Sequence, residues 1–387
     1  MTVPPVILQI LPALGMGGVE RGTIDIARAI IAAGGKALVA SNDGIWRRNL
    51  EKIGAQHICL PLHSKNPFVM LQNKSKLQKI IRKHQVDIVH ARSRAPAWSA
   101  WGATKACNVP FVTTWHGVFQ ENWAGKRRYN EVMAKGSRVI AISQFVAQRI
   151  QEKYGVDKDR LRIIYRGVDT KIFNPDLPLG DRMVSLLKKW QLPEEKKIIM
   201  LPGRLTQWKG HELLLHALAQ LGEEYKKNWI CVFLGPAKSK DNFVDSLITL
   251  SKHLKLNSNL FFAGECQDMP AALALADIVV VPSLKPEPFG RVITEAQAMQ
   301  RIVVVANHGG AAETVRDGET GFTFIPNHVK SLTDTINKVM QTSQEDLEWI
   351  GRLAREDVEA YYTLEKMQRD TLSVYNEILP ITKQLRI

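Results

Sequence analysis

Cysteine is scarce in this chain. Cys59, Cys107, Cys231 and Cys266 are scattered over 387 positions without a C-x-x-C pair, which argues against a metal knuckle or a disulfide framework and fits a reducing cytoplasm. Long apolar runs are missing as well. No uninterrupted stretch approaches the roughly 18 residues expected of a spanning helix, and no basic segment precedes an apolar run at the N-terminus. The chain is therefore expected to be soluble or peripheral, in the cytoplasm or at the inner face of the cytoplasmic membrane. Gly15, Gly17 and Gly18 do not complete G-x-G-x-x-G, so a nicotinamide or flavin cofactor is poorly supported. Acidic residues are sparse in one half only. Residues 1–175 hold 27 Lys+Arg against 11 Asp+Glu, and the remainder 25 against 27, so the whole net charge of +14 originates in the first half. A basic half beside a neutral one points to one surface facing an anionic partner. Membrane headgroups, an anionic acceptor and nucleic acid all fit that description, although no recognisable nucleic-acid module is present.

What is present is a regular alternation. The length exceeds what one core usually supports, and 45% apolar content suits packed domains. Strand-like runs occur at 6–11, 37–40, 86–90, 111–114 and 138–142, separated by helix-length segments. A charged, Pro- and Gly-containing stretch from Asp176 to Lys197 marks a boundary. A second series follows at 197–201, 229–234, 260–263, 278–281 and 302–306. Each series predicts a doubly wound parallel sheet, and ligands of such sheets bind at the carboxyl ends of the strands. The expected domains are 1–176, 177–360 and a helical segment 361–387 that returns to the first domain, within one helix from Asp357 to Leu379.

Several strand-end loops carry chemistry. Glu287-Pro-Phe-Gly-Arg-Val-Ile-Thr-Glu295 runs from a strand into a helix, with one carboxylate in the loop and one inside the helix. Gly290 lets backbone approach closely, and free helix N–H groups there favour an anion. Two carboxylates around a phosphate seat suggest a sugar nucleotide. Arg204 and Lys209 share one loop at the same edge and suit a diphosphate, Arg by its planar fork and Lys as a point charge. In the first half, Trp115-His116-Gly117 and Ser143-Gln144 follow strands. Two basic, partly apolar stretches, Lys65–His84 and Phe119–Tyr129 with Trp123, have the composition of segments that lie at a membrane surface.

The ordered set Gly15-Met-Gly-Gly-Val-Glu20, His116-Gly117, Ala141-Ile-Ser143, Gly167-Val-Asp169, Gly203-Arg204 with Lys209-Gly210, Glu287 to Glu295, and Gly309-Gly310 with Glu313 resembles the retaining glycosyltransferases of family 4. The resemblance spans nearly the whole chain and includes the family's E-x7-E signature. It implies a GT-B architecture of two Rossmann-like domains facing across a cleft, the first for the acceptor and the second for the donor. It also implies a hexose-type transfer from a UDP- or GDP-linked donor to an envelope glycan or lipid-linked acceptor, with no bound metal and no cofactor beyond this co-substrate. Under the resemblance Arg204 and Lys209 neutralise the diphosphate, Glu287 faces the donor sugar, Glu295 accepts from the ribose, and His116 lies near the transferred sugar. Gly17, Gly18, Phe289, Gly290, Arg291 and Val292 complete the donor site; the base meets main chain around 264–269; Trp115 and Ser143 are acceptor candidates. The chain departs from the family at Gln300 and Ile302, where Gly and Pro are frequent, and at Arg291, where a small apolar residue is frequent. A sugar-nucleotide epimerase and a non-catalytic sugar-nucleotide-binding protein are the alternatives. Lys209→Ala and Glu287→Ala are expected to abolish most turnover and leave the fold intact.

Overall fold

The computed structural model describes residues 3–15, 17–119, 121, 124–222, 225, 228–237 and 242–387. Met16, Gln120, Asn122 and Trp123 therefore lie outside the described residues. The chain folds into two units, Met1–Gly167 together with Leu364–Ile387, and Val168–Thr363.

The first unit is built on seven strands: β1 (Val6–Ala13), β2 (Lys36–Asn42), β3 (Gln56–Cys59), β4 (Ile88–Ala91), β5 (Phe111–Trp115), β6 (Arg138–Ala141) and β7 (Leu161–Ile163). All neighbours pair in parallel, in the order β3-β2-β1-β4-β5-β6-β7. The central strands are buried on both faces, which is why they read as continuous apolar runs rather than alternating ones. The second unit repeats the plan with β8 (Lys197–Pro202), β9 (Trp229–Leu234), β10 (Leu260–Gly264), β11 (Ile278–Val281), β12 (Ile302–Ala306) and β13 (Phe322–Phe324), ordered β10-β9-β8-β11-β12-β13 and again all parallel. Each sheet reverses its winding at one place, between β1 and β4 in the first and between β8 and β11 in the second. At such a switch point the following loops part to either side and leave a crevice.

The three strands that the sequence did not announce, β3, β7 and β13, lie at sheet edges, are three or four residues long and are only partly apolar. The single helix expected over Asp357–Leu379 is two helices, Gln344–Tyr361 and Leu364–Asn376. Between them Tyr362 accepts from the N–H of Val168, and Thr363 bridges Val168. The chain leaves the second unit at this break. Leu364, Met367, Leu372, Val374 and Tyr375 then join Ile7, Leu11 and Ile30 in the first unit's core. The expected boundary at 176/177 falls inside the second unit, because Phe173 is buried there and its carbonyl accepts from Arg355.

Gln300 explains one departure from the family pattern. It follows the helix Arg291–Ala298 with φ of 56°, a left-handed conformation that only glycine adopts without a steric penalty. Gln300→Gly is expected to stabilise the second unit by about 0.5–1 kcal/mol, read as a rise in its melting midpoint of a few degrees; an unchanged or lower midpoint would contradict this account.

Candidate active site

The second unit's site is assembled at its switch point. The loop after β8 brings Lys209 from one side, and the loop after β11 brings Glu287 from the other. Lys209 Nζ lies 2.6 Å from Glu287 Oε1 and 4.5 Å from the Trp208 ring centroid. Ser283 Oγ donates to the same carboxylate oxygen at 2.5 Å. Glu287 is held by its backbone as well, since its carbonyl accepts from Gly310 N–H at 2.8 Å. The close passages depend on glycine at two positions. A Cβ at Gly210, φ 80°, would lie 1.9 Å from the Pro282 carbonyl oxygen, and one at Gly309, φ 69°, would lie 2.7 Å from that of Glu287. A ring nitrogen of His308, Nε2, donates to the Ser283 carbonyl at 2.8 Å, which fixes that nitrogen as protonated because a carbonyl only accepts.

Beyond Glu287 the chain turns through Gly290, φ 86°, into the helix Arg291–Ala298. Of the first-turn N–H groups of that helix, that of Ile293 donates to the Gly290 carbonyl at 2.9 Å, whereas those of Arg291 and Val292 have no acceptor among the described residues and are donors available beside the carboxylate loop. Glu295 is buried, and Arg291 Nη2 donates to its Oε1 at 2.7 Å. Both signature carboxylates therefore already face a cation. Val292 is half-buried. Phe289 is buried with its ring 5.8 Å from that of Tyr362, so any ligand contact from this position falls to the main chain. Arg204 is exposed, and among the described residues its side chain makes no hydrogen bond or ion pair. The region expected to meet the base begins at Gly264, where a Cβ would meet nothing within 4 Å, and ends at Met269, the first residue of a helix whose cap Asp268 accepts from Ala271 N–H. Among the described residues no group of three or more His, Cys, Asp and Glu could hold a metal ion.

In the first unit, Gly17 leads into the helix Gly18–Ala32, and the Arg166 guanidinium donates to the Gly18 carbonyl. His116 follows β5 with Nε2 buried and without a protein partner among the described residues. Burial, aided by the nearby cations Arg92 and Arg166, holds its pKa well below the usual histidine value, so the imidazole is neutral near pH 7. It acts as a hydrogen-bonding group and not as a cation. Two acceptor candidates require correction. Trp115 is 2% exposed, stacks on Phe119 and Tyr154, and donates its indole N–H to the Met133 carbonyl. Ser143 is fully buried and its Oγ accepts from Val146 N–H as a helix cap. An aromatic ring and a hydroxyl at a strand end serve core packing and capping as readily as recognition, and here packing claims both.

Two family models cover most of the chain, Glycosyltransferase Family 4 over residues 16–172 and Glycosyl transferases group 1 over residues 185–357. The crystal structure of a glycosyltransferase from Rickettsia africae ESF-5 is 38% identical, with a TM-score of 0.90 over 98% of this chain and 99% of that one. The chain belongs to the glycosyltransferases. Its two doubly wound units are those of the GT-B fold, shared with the Anabaena Alr3699/HepE structure in complex with UDP, which is 24% identical with a TM-score of 0.83 over 97% of this chain and all of that one. Spore coat protein SA of Bacillus subtilis (strain 168) is 25% identical over 77% of this chain and 80% of its own length. In this glycosyltransferase the sequence reading missed Ser283, His308 and Trp208. Ser283 carried one faint signal, its place at the end of a predicted strand; the partners of the other two are visible only in three dimensions.

The ion pair alters one expectation. Lys209 and Glu287 side chains are 15% and 9% exposed, so removing either leaves the other charge largely desolvated and without its counter-ion. Lys209→Ala and Glu287→Ala are each expected to cost about 2–3 kcal/mol of stability in denaturant unfolding, less than a fully buried pair would. The double variant Lys209→Met with Glu287→Gln should recover most of that loss while remaining inactive. Strictly additive effects would refute the coupling.

Proposed function

We propose that the protein is a retaining hexosyltransferase that moves a sugar from a UDP- or GDP-linked donor to an envelope glycan or lipid-linked acceptor without a metal. The observation that carries this reading is the second unit's switch point, where Lys209, the exposed Arg204 and the first two amides of the helix Arg291–Ala298 gather beside Glu287 and Glu295. Breaking a glycosyl–phosphate bond leaves negative charge on the departing diphosphate and positive charge on the anomeric carbon. Fixed cations and amides at the first lower the barrier because they are oriented before the reaction begins. Glu287, anchored by Ser283 and Gly310, offers a carboxylate to the sugar. Glu295 offers one to the ribose, and neutral His116 is the first unit's hydrogen-bonding group for the transferred sugar. The acceptor hydroxyl attacks from the face that the phosphate leaves, and a phosphate oxygen takes its proton. The complexes of Alr3699/HepE with UDP and with UDP-glucose are further support for a UDP-linked donor.

A screen of UDP-, GDP- and ADP-sugars by thermal shift and donor hydrolysis tests the assignment. One donor is expected to raise the melting midpoint, by the equivalent of about 2.7 kcal/mol at a hundredfold excess over Kd. Arg204→Ala should raise KM for that donor and lower kcat. No stabilisation by any nucleotide sugar would overturn the reading.

The acceptor side of the proposal rests on charge. The first unit contains 30 Lys+Arg and 13 Asp+Glu, the second 22 and 25. On the helix Pro67–His84, Leu77 and Ile81 face the core, whereas Phe68 and Leu71 are 78% and 64% exposed at one end of a stripe holding Lys76, Lys79, Arg82 and Lys83. Apolar tips beside a basic stripe suit an anionic bilayer surface; no helix among the described residues is long and apolar enough to cross one. Vesicles containing anionic lipid should retain the protein at low salt, neutral vesicles should not, and Phe68→Ser with Leu71→Ser should weaken retention. Equal binding to both vesicle types would remove the membrane from the proposal.

A further inference from the structure

The first unit holds a buried charge, Arg92, that meets no carboxylate at ion-pair distance among the described residues. Gln9 on β1 pairs with His90 on β4, and His90 pairs with Val112 on β5. Because side chains two apart on a strand share a face, Gln9, His90, Arg92, Thr114 and His116 form one polar row on one face of the sheet. Its inner end is closed: His90 Nδ1 meets Tyr375 Oη and His90 Nε2 meets Thr114 Oγ1, each at 2.7 Å. Its outer end holds donors without partners among the described residues. Arg92 is 4% exposed and donates from Nη1 to the neutral amide oxygen of Gln9 at 3.0 Å. Its Nε, like His116 Nε2, is buried with no protein partner among the described residues. Among those residues no carboxylate comes within ion-pair distance of Arg92; Glu20 and Asp25 act on it only through the longer-range field. A buried guanidinium facing no counter-ion is costly to keep, and it sits beside the β1/β4 switch point, where open parallel sheets bind ligands.

We propose that Arg92 and His116 form an anion subsite in the first unit that takes a phosphate or carboxylate carried by the acceptor. Arg92 supplies the charge and a directed N–H, and His116, neutral, donates from Nε2 in that tautomer, which leaves Nδ1 as the acceptor for a hydroxyl of the transferred sugar. Gly15 in the first βα loop leaves room at the strand ends, since a Cβ there would meet nothing within 4 Å. The inference rests on the proposed transfer reaction for its statement that the anion belongs to the acceptor and not to the donor.

The test titrates inorganic phosphate, and then glucose 6-phosphate against glucose, into the whole protein saturated with UDP, so that the second unit's diphosphate seat is filled. Calorimetry gives the affinities, and the ¹⁵N resonances of His116 report whether the anion reaches Nε2. Phosphate is expected to bind and shift the His116 signal, glucose 6-phosphate to bind at least tenfold tighter than glucose, and Arg92→Gln to weaken phosphate at least tenfold with UDP affinity within twofold of wild type. Arg92→Lys, which keeps the charge, should retain part of the binding and controls for folding. Phosphate binding unaltered in both variants, or no phosphate binding at all, would overturn the subsite. Loss of UDP affinity in folded Arg92→Gln would assign the anion to the donor and overturn the acceptor claim. UDP failing to bind wild type would instead overturn the transfer reaction, and phosphate titrated alone would still decide whether Arg92 holds an anion.

Discussion

The ion pair between Lys209 and Glu287 is the constraint on which the second unit's site depends. The two residues lie 78 positions apart, and only the winding reversal between β8 and β11 brings their loops together. The backbone then has to pass very close to itself twice, at Gly210 beside Pro282 and at Gly309 beside Glu287. A side chain at either place would push the carboxylate or the ammonium away from its partner. The glycines therefore act through position and not through flexibility: they fix where two charges meet.

The first unit solves a different problem with the same sheet plan. A histidine buried on β4 needs partners for both ring nitrogens, and Tyr375, from the helix Leu364–Asn376, supplies one of them. Burial drives the His90 pKa well down and that of Tyr375 up, so both groups stay neutral and the contact is an ordinary hydrogen bond. This polar contact and the apolar residues around Tyr375 bind the last helix to the first core. The break at Tyr362 and Thr363 is what lets the chain change units before that helix begins.

Much of this was legible in the sequence for a simple reason. Strands buried on both faces are mostly apolar, even where they carry Gln9, His90 or Thr114, so the central strands of both sheets announce themselves, and the loops that follow them are the places where chemistry is expected. The E-x7-E spacing and the Arg204/Lys209 loop could be read in the same way. Edge strands such as β3 and β13 are short and half-polar, which leaves little periodic signal. The partners of Glu287 were hidden because Lys209, Ser283 and Gly310 reach it from three loops. Trp115 misleads because the sequence reports that a ring stands at a strand end, but not whether it turns toward solvent or into the core. Arg92 reads in the sequence as one more basic residue of a basic half; its meaning comes from being buried.

The two carboxylates of the signature differ in how firmly they hold their cations. Lys209 and Glu287 come from separate loops, and parting them strands two largely desolvated charges. Arg291 and Glu295 lie four apart on one helix, and for such a pair the order with the cation N-terminal is the weaker one. Arg291 is also the first residue of that helix, where the dipole disfavours positive charge, and its side chain is 28% exposed. The second pair is thus weaker on the cation's side, but Glu295, whose side chain is 11% exposed, needs another donor in place of Arg291 if the two part. On the proposed donor assignment, a ribose diol would supply that donor to Glu295, while Lys209 stays on Glu287 and still has two N–H groups to turn toward phosphate. On the same assignment the guanidinium released would lie at the helix N-terminus, where it would add a cation beside the diphosphate.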